Sequence, residues 1–193
     1  WLTPRVLELG YSYMSGLGLP AIAQPRLEEL SRRIGESSSL SVLDGPDIVY
    51  VNRVPVRRIM TVSITIGTRF PAYATSMGRV ILADMTPEDL DHYLDTVDLV
   101  PLTPMTKVDP DELRTVIAQV RDQGWAIVDQ ELEPGLRSLA APVRSPQGTV
   151  VAAVNISTQT VVHDLEDLHR RFLPALIETA EQISHDLAAT ELF

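Results

Sequence analysis

The 193 residues carry 16 basic and 26 acidic side chains, a formal net charge of −10, with 45% hydrophobic and 22% charged residues. These values suit one packed globular domain with at most a short appendage, and they exclude intrinsic disorder, fibrous repeats and any grip on nucleic acid through the bulk field of this chain. Cysteine is absent, which excludes disulfides, thiolate metal sites and cysteine nucleophiles and points to a reducing, cytoplasmic compartment.

The chain begins Trp1-Leu2-Thr3-Pro4-Arg5, without an initiator Met or a signal-peptide pattern, and so reads as a fragment. No apolar run reaches the roughly 18 to 20 residues that span a bilayer, so no membrane partner is expected. Thr3 as N-cap and Pro4 at the first helical position open a helix over about residues 4 to 17, with Val6, Leu9, Tyr13 and Leu17 at helical spacing. Gly16, Gly18 and Pro20 break it, and a second helix starts at Gln24-Pro25 with Leu27, Leu30 and Ile34 as its stripe. From Ser39 the period changes to two. Leu40 and Val42 alternate with serines, Asp44-Gly45-Pro46-Asp47 forms a turn, and residues 48 to 54 complete an antiparallel hairpin. A third strand is predicted from Ile59 to Ile66, ended by Gly67.

Residues 68 to 76 show neither period and run into a helical stretch at residues 77 to 83. Thr86-Pro87-Glu88-Asp89 and Asp109-Pro110-Asp111-Glu112 are two further helix starts, the second ending at Gly124. Strands return at residues 125 to 130, 137 to 144 and 149 to 157, the last two joined by the turn Ser145-Pro146-Gln147-Gly148. A final helix runs from about Asp164 to Ala189, and Pro174 should kink it. Six strands with hairpin connections predict an α+β domain, an antiparallel six-stranded sheet flanked by helices.

Catalytic signatures are missing: the sequence has no His-Glu-x-x-His, P-loop, Gly-x-Ser-x-Gly or Gly-x-Gly-x-x-Gly motif. The residues therefore do not read as an enzyme, and no cofactor or metal is expected. His92, His163, His169 and His185 match no metal spacing and read as solvated; Asp129, Glu131 and Glu133 read as a solvated charge run rather than a cation site. The informative stretch is Ala74-Thr75-Ser76-Met77-Gly78-Arg79, where a loop of small and hydroxyl residues enters a helix. Free N–H groups there could hold a carboxylate, with Gly78 allowing close approach; an ordinary N-cap with a packing glycine explains the same residues. Ser138, Asn155 and Ser157 interrupt otherwise apolar strands. Alternation puts Asn155 and Ser157 on one face, and Ser138 on that face too would complete a polar pocket wall. Arg79 and Arg137 could each clamp a carboxylate or serve as structural ion-pair partners.

The runs Leu2 to Gly10, Arg69 to Ala83 and Glu131 to Ala140, followed by Asn155-Ile156-Ser157, together resemble the IclR family of bacterial transcriptional regulators, in the right order over nearly the whole chain. The wording Tyr73-Ala74-Thr75-Ser76-Met77-Gly78-Arg79 is similar to the branch that controls aromatic-acid catabolism. The resemblance implies a winged helix-turn-helix that touches operator DNA and is absent from this chain, a linker helix over 1–18, and a GAF-like effector-binding domain over 19–193. It implies a small, aromatic carboxylate such as protocatechuate or 4-hydroxybenzoate as effector, and a homodimer or homotetramer as the working form. It places Ser76, Met77 and Gly78 as amide donors and Tyr73 and Met60 as apolar walls. Ser138, Ala140, Asn155 and Ser157 line the sheet side, and Arg79 stands beside the cradle. Val128 is aliphatic where some members carry an acid, which suits a more apolar effector. A dimerisation module with a vestigial pocket is the reading that stands against it.

Overall fold

A computed structural model describes residues 18–56 and 64–190. The predicted first helix, Met60 and most of the predicted third strand lie outside the described residues.

The first described helix, α1 (Leu19–Ile34), starts earlier than Gln24-Pro25 and runs through Pro25. Gly18 in the left-handed region at φ 60° turns the chain into it, and Pro20 sits in the first turn, where a missing N–H costs nothing. Leu19, Ala23, Leu27 and Leu30 form its buried face, and Gly35 ends it at φ 74° with its N–H on Ser31 O at 2.9 Å.

Six strands follow: β1 (Ser37–Asp44), β2 (Asp47–Val54), β3 (Arg69–Pro71), β4 (Ala126–Asp129), β5 (Leu136–Arg144) and β6 (Val150–Gln159). They form one sheet in the order β3-β2-β1-β6-β5-β4, with every pairing antiparallel. The pairing of β1 with β6 joins the early hairpin to the late one. Among the described residues the third strand is Arg69–Pro71, after Gly67. Residues 64 to 66 lead into a turn in which Gly67 adopts φ 87° and donates to Tyr50 O at 2.8 Å, and the ladder with β2 opens only at Val49 and Arg69.

Each face of the sheet carries its own helical layer. Leu40, Leu139, Ala141, Val143, Ala152, Val154 and Ile156 point to one side, against α1 and the C-terminal helix α5 (Leu173–Thr190). On the other side Ile48, Tyr50, Ala126, Ala140 and Ala153 meet α2 (Ser76–Leu82), α3 (Pro87–Thr96) and α4 (Pro110–Gln123). Both predicted caps form: Thr86 Oγ1 accepts from Asp89 N at 3.1 Å, and Asp109 Oδ1 accepts from Asp111 N and Glu112 N, each at 2.9 Å.

The last helix has a turn at Leu165–Asp167 and a π-helical stretch at Leu168–Phe172 ahead of α5. Pro174 follows directly, and the widened turn makes room for a ring that cannot donate and would otherwise press on the preceding carbonyl.

Candidate functional site

The site is built where α2 lies on the sheet. Every residue of α2 is buried, and the chain reaches it through a 3₁₀ turn at Ala72–Ala74. Thr75, in extended conformation, caps α2: its Oγ1 accepts from Gly78 N at 3.0 Å and its carbonyl from Arg79 N at 3.0 Å. The Gly78 amide is therefore taken. Gly78 is there for packing, since a Cβ on it would stand 2.1 Å from Ala72 O. The amides of Ser76 and Met77 belong to the first turn, which supplies them with no intrahelical acceptor.

Two of the predicted residues have their polar atoms committed to the fold. Arg79, 1% exposed, donates from Nε to Tyr73 O at 2.8 Å and through both terminal nitrogens to Glu131, at 2.7 and 2.6 Å. Glu131 is buried, not solvated, and also accepts from Lys107 N at 3.0 Å. Asp129 pairs with Arg137 at 2.8 Å, so two acids of the run pair with arginines and Glu133 is the exposed one. Tyr73 is locked by its hydroxyl, which donates to Val100 O at 2.8 Å and accepts from Val100 N at 2.9 Å; its ring remains as a wall. Tyr93, whose hydroxyl meets Tyr73 N at 3.2 Å, is held well above the ordinary phenol range by burial.

The sheet side comes together. Val154, Ile156 and Leu139 face α1 and α5, so Asn155, Ser157, Ser138 and Ala140 face α2. Register pairs Ser138 with Ser157 and Ala140 with Asn155, which places Ser138 on the shared face. Ser76 Oγ donates to Ser138 Oγ at 2.9 Å, tying the start of α2 to β5, and Ser41 Oγ approaches Met77 Sδ at 3.1 Å. Asn155 Nδ2 donates to Ser157 Oγ at 2.9 Å; Asn155 Oδ1 is buried without a partner among the described residues. Val128 pairs with Ser138 in the neighbouring strand.

Sequence reasoning passed over the β1 and β2 side of this face. Ser39 pairs with Asn155 on one side and with Arg53 on the other, and Arg53 donates to Ser39 Oγ at 3.3 Å. Arg53 is partly buried, which lowers its pKa from the ordinary value, and no carboxylate pairs with it among the described residues. Tyr50, beside it, is pushed up to about 12 by burial. The signal was a charged residue inside a β-branched strand and serines alternating with Leu40. His163 also departs from expectation: its Nε2 lies 3.2 Å from Glu36 Oε1 and its Nδ1 3.3 Å from Asp167 Oδ2, whereas His92, His169 and His185 are exposed.

Residues 11–185 match the family model described as bacterial transcriptional regulator IclR C-terminal. The chain is 43% identical over 187 residues to the Pca regulon regulatory protein of Pseudomonas putida, covering 96% of this chain and 64% of that relative, so it spans under two thirds of that protein. Among solved structures it superposes on RHA06195 from Rhodococcus sp. RHA1 with a TM-score of 0.94 at 60% identity, covering 98% of this chain and 78% of that one. It superposes on the double mutant of the PobR inducer binding domain from Acinetobacter, in complex with 3-hydroxybenzoic acid, with a TM-score of 0.81 at 30% identity, covering 86% and 97%.

Proposed function

Because the chain belongs to the IclR family of bacterial transcriptional regulators, we propose that its pocket between α2 and the sheet binds a small aromatic carboxylate, such as 4-hydroxybenzoate or protocatechuate, and that effector occupancy controls genes of aromatic catabolism. The observation that carries this is the polar row on the sheet face toward α2: half-buried Ser138 and Ser157 and the buried, unpartnered Asn155 Oδ1 under Ser76, where packing alone would favour apolar side chains. The hydroxybenzoic acid bound to the PobR domain supports the ligand class. Ser76 and Met77 present their amides, and the Tyr73 ring forms a wall. Arg79 and Gly78 act through position: one straps α2 to the β4–β5 connection, the other lets α2 sit close to Ala72.

In this reading residues 1–18 serve as the linker to a DNA-binding domain that touches the operator, residues 19–193 are the sensor, and the regulator acts in the cytoplasm as a homodimer or homotetramer without chemical turnover. Effector binding needs to favour one arrangement of the paired DNA-binding domains by about 1 to 3 kcal/mol to change DNA affinity roughly 5- to 150-fold. Isothermal titration of the chain with protocatechuate, 4-hydroxybenzoate, β-ketoadipate and pyruvate tests the reading. Saturable binding of an aromatic acid in preference to pyruvate is expected. Silence across the panel would leave a dimerisation module and end the sensor reading for these acids.

A further inference from the structure

We propose that Arg53 is the anion-binding residue of this pocket and Asn155 the acceptor opposite it, so that the site selects a carboxylate carrying a hydrogen-bond donor at its far end. The inference rests on the effector-pocket reading and assigns the orientation and chemistry of the ligand within it.

Three observations carry it. The first is register. Arg53, Ser39 and Asn155 stand side by side on adjacent strands, so the backbones of Arg53 and Asn155 are about 10 Å apart across two strand spacings. The guanidinium leans inward onto Ser39 Oγ at 3.3 Å, toward Asn155. Past Asn155 the row continues as Ala140 and Ala126, both buried in the core under the helices, so the polar part of the row ends at Asn155.

The second is unspent charge. An arginine side chain has five N–H donors, and only the bond to Ser39 engages Arg53 among the described residues. Arg79, the arginine on α2, is engaged by Glu131 and Tyr73 O. Arg53 is partly buried, with burial as the main influence on its titration. A partly buried cation with free donors is a ready partner for a planar carboxylate, which it can meet with two parallel bonds.

The third is the acceptor. Asn155 is 2% exposed, and its Oδ1 has no partner although its Nδ2 is satisfied by Ser157. A buried acceptor without a donor is a standing cost, and a hydroxyl on the ligand relieves it. Cation at one end and acceptor at the other define a ligand with an acid and a hydroxyl on opposite sides, the pattern of a hydroxybenzoate. The rival seat for the acid is the start of α2, where Thr75 already holds the Gly78 amide.

Isothermal titration of the chain and its R53Q, R53K and N155A variants tests this, with 4-hydroxybenzoate, 4-hydroxybenzamide, benzoate, pyruvate and adipate as probes and a thermal melt of each variant to verify folding. R53Q should weaken 4-hydroxybenzoate about ten- to a hundredfold, the loss expected for a hydrogen-bonded charge, and change the uncharged amide by less than about twofold. R53K should recover part of the loss. N155A should abolish the preference for 4-hydroxybenzoate over benzoate while keeping acid over amide. If R53Q weakens acid and amide alike, or neither, the carboxylate sits elsewhere and the assignment of Arg53 is overturned while the pocket reading stands. If the native chain prefers pyruvate or adipate to the hydroxybenzoates, the aromatic reading and the role of Asn155 fall, and R53Q measured on the preferred acid still decides Arg53. If no acid binds the native chain, the effector reading falls and this inference with it.

Discussion

Replacing Glu131 with Gln removes one charge from the buried pair that holds α2 in place, and the geometry sets the size of the effect. Arg79 and Glu131 have side chains 1% and 6% exposed, so water cannot take over the role of either partner. Removing one member of such a pair costs about 3 to 5 kcal/mol, because the remaining charge is left buried and uncompensated. The lower end applies here. Gln keeps one oxygen toward Arg79, and Nε keeps its bond to Tyr73 O at 2.8 Å. The bond from Thr106 goes to the Glu131 backbone carbonyl and survives, whereas the one from Lys107 N to Oε2 is exposed to loss. With a urea slope of about 2 kcal/mol/M, a cost of about 3 kcal/mol moves the midpoint down by about 1.5 M. Equilibrium urea unfolding at pH 7, followed by circular dichroism, reads this directly. The double variant R79M/E131L should regain much of the loss, since both desolvation costs vanish together. A midpoint shift below about 0.5 M for E131Q, at that same slope, would refute the view that this pair anchors α2.

Two further outcomes follow from single contacts. Gly78→Ala puts a Cβ 2.1 Å from a backbone oxygen that cannot swing aside; an overpacking cost of about 2 to 3 kcal/mol lowers the melting temperature by roughly 5 to 10 °C, and an unchanged melt would show that the turn and α2 are not in forced contact. This also makes Gly78 a poor probe of ligand binding, because the fold changes with it. Tyr50 is neutral and buried, and burial raises its pKa from the ordinary phenol value of about 10 to about 12. Its contribution is therefore complete below pH 10 and lost as pH rises from 10 toward 12. Between pH 9 and pH 11 the melting temperature of the native chain should fall relative to that of Y50F; parallel curves would refute the linkage.

Much of the fold was legible because local chemistry and tertiary packing agree. Thr86, Asp109 and Gly124 are chain-end signals that need no distant partner, and the alternation in β1, β5 and β6 records which side each residue faces. The short strand at Arg69–Pro71 was missed because three residues ending in proline show no alternation, and its ladder on β2 is fixed by the turn at Gly67 and by Arg69, which reaches Asp47 at 3.1 Å. Polar residues of the site were visible as interruptions of apolar runs, so Ser138, Asn155 and Ser157 could be picked out one by one. Their neighbours could not. Arg53 meets Asn155 through Ser39, in strands that are more than a hundred residues apart in the chain, and only register brings them together. The same distance hid the pairing of Arg79 with Glu131, which turned a suspected ligand clamp into a strap.

The two faces of the sheet obey different rules, and that difference separates stability from function. Toward α1 and α5 the inward positions of β1, β5 and β6 hold Leu40, Leu139, Ala141, Val143, Val154 and Ile156, and the two buried hydroxyls among them, Ser38 and Thr158, are bonded to Leu27 O and Glu36, a set that packing and the fold's own bonds explain. Toward α2 the same strands carry Ser39, Ser138, Asn155 and Ser157, including one amide oxygen with no partner. An unpaired buried acceptor costs about 1 to 3 kcal/mol, and the single bond from Asn155 to Ser157 returns only about 1. Folding is thus served no better by asparagine here than by leucine of similar size. Asn155→Leu should leave the urea midpoint unchanged or raised while abolishing 4-hydroxybenzoate binding, the exchange expected where a residue is kept for its ligand. A loss of more than about 1 kcal/mol, beyond the value of that one hydrogen bond, would mean that Asn155 holds the sheet together, and the polar row would then have to be explained as architecture.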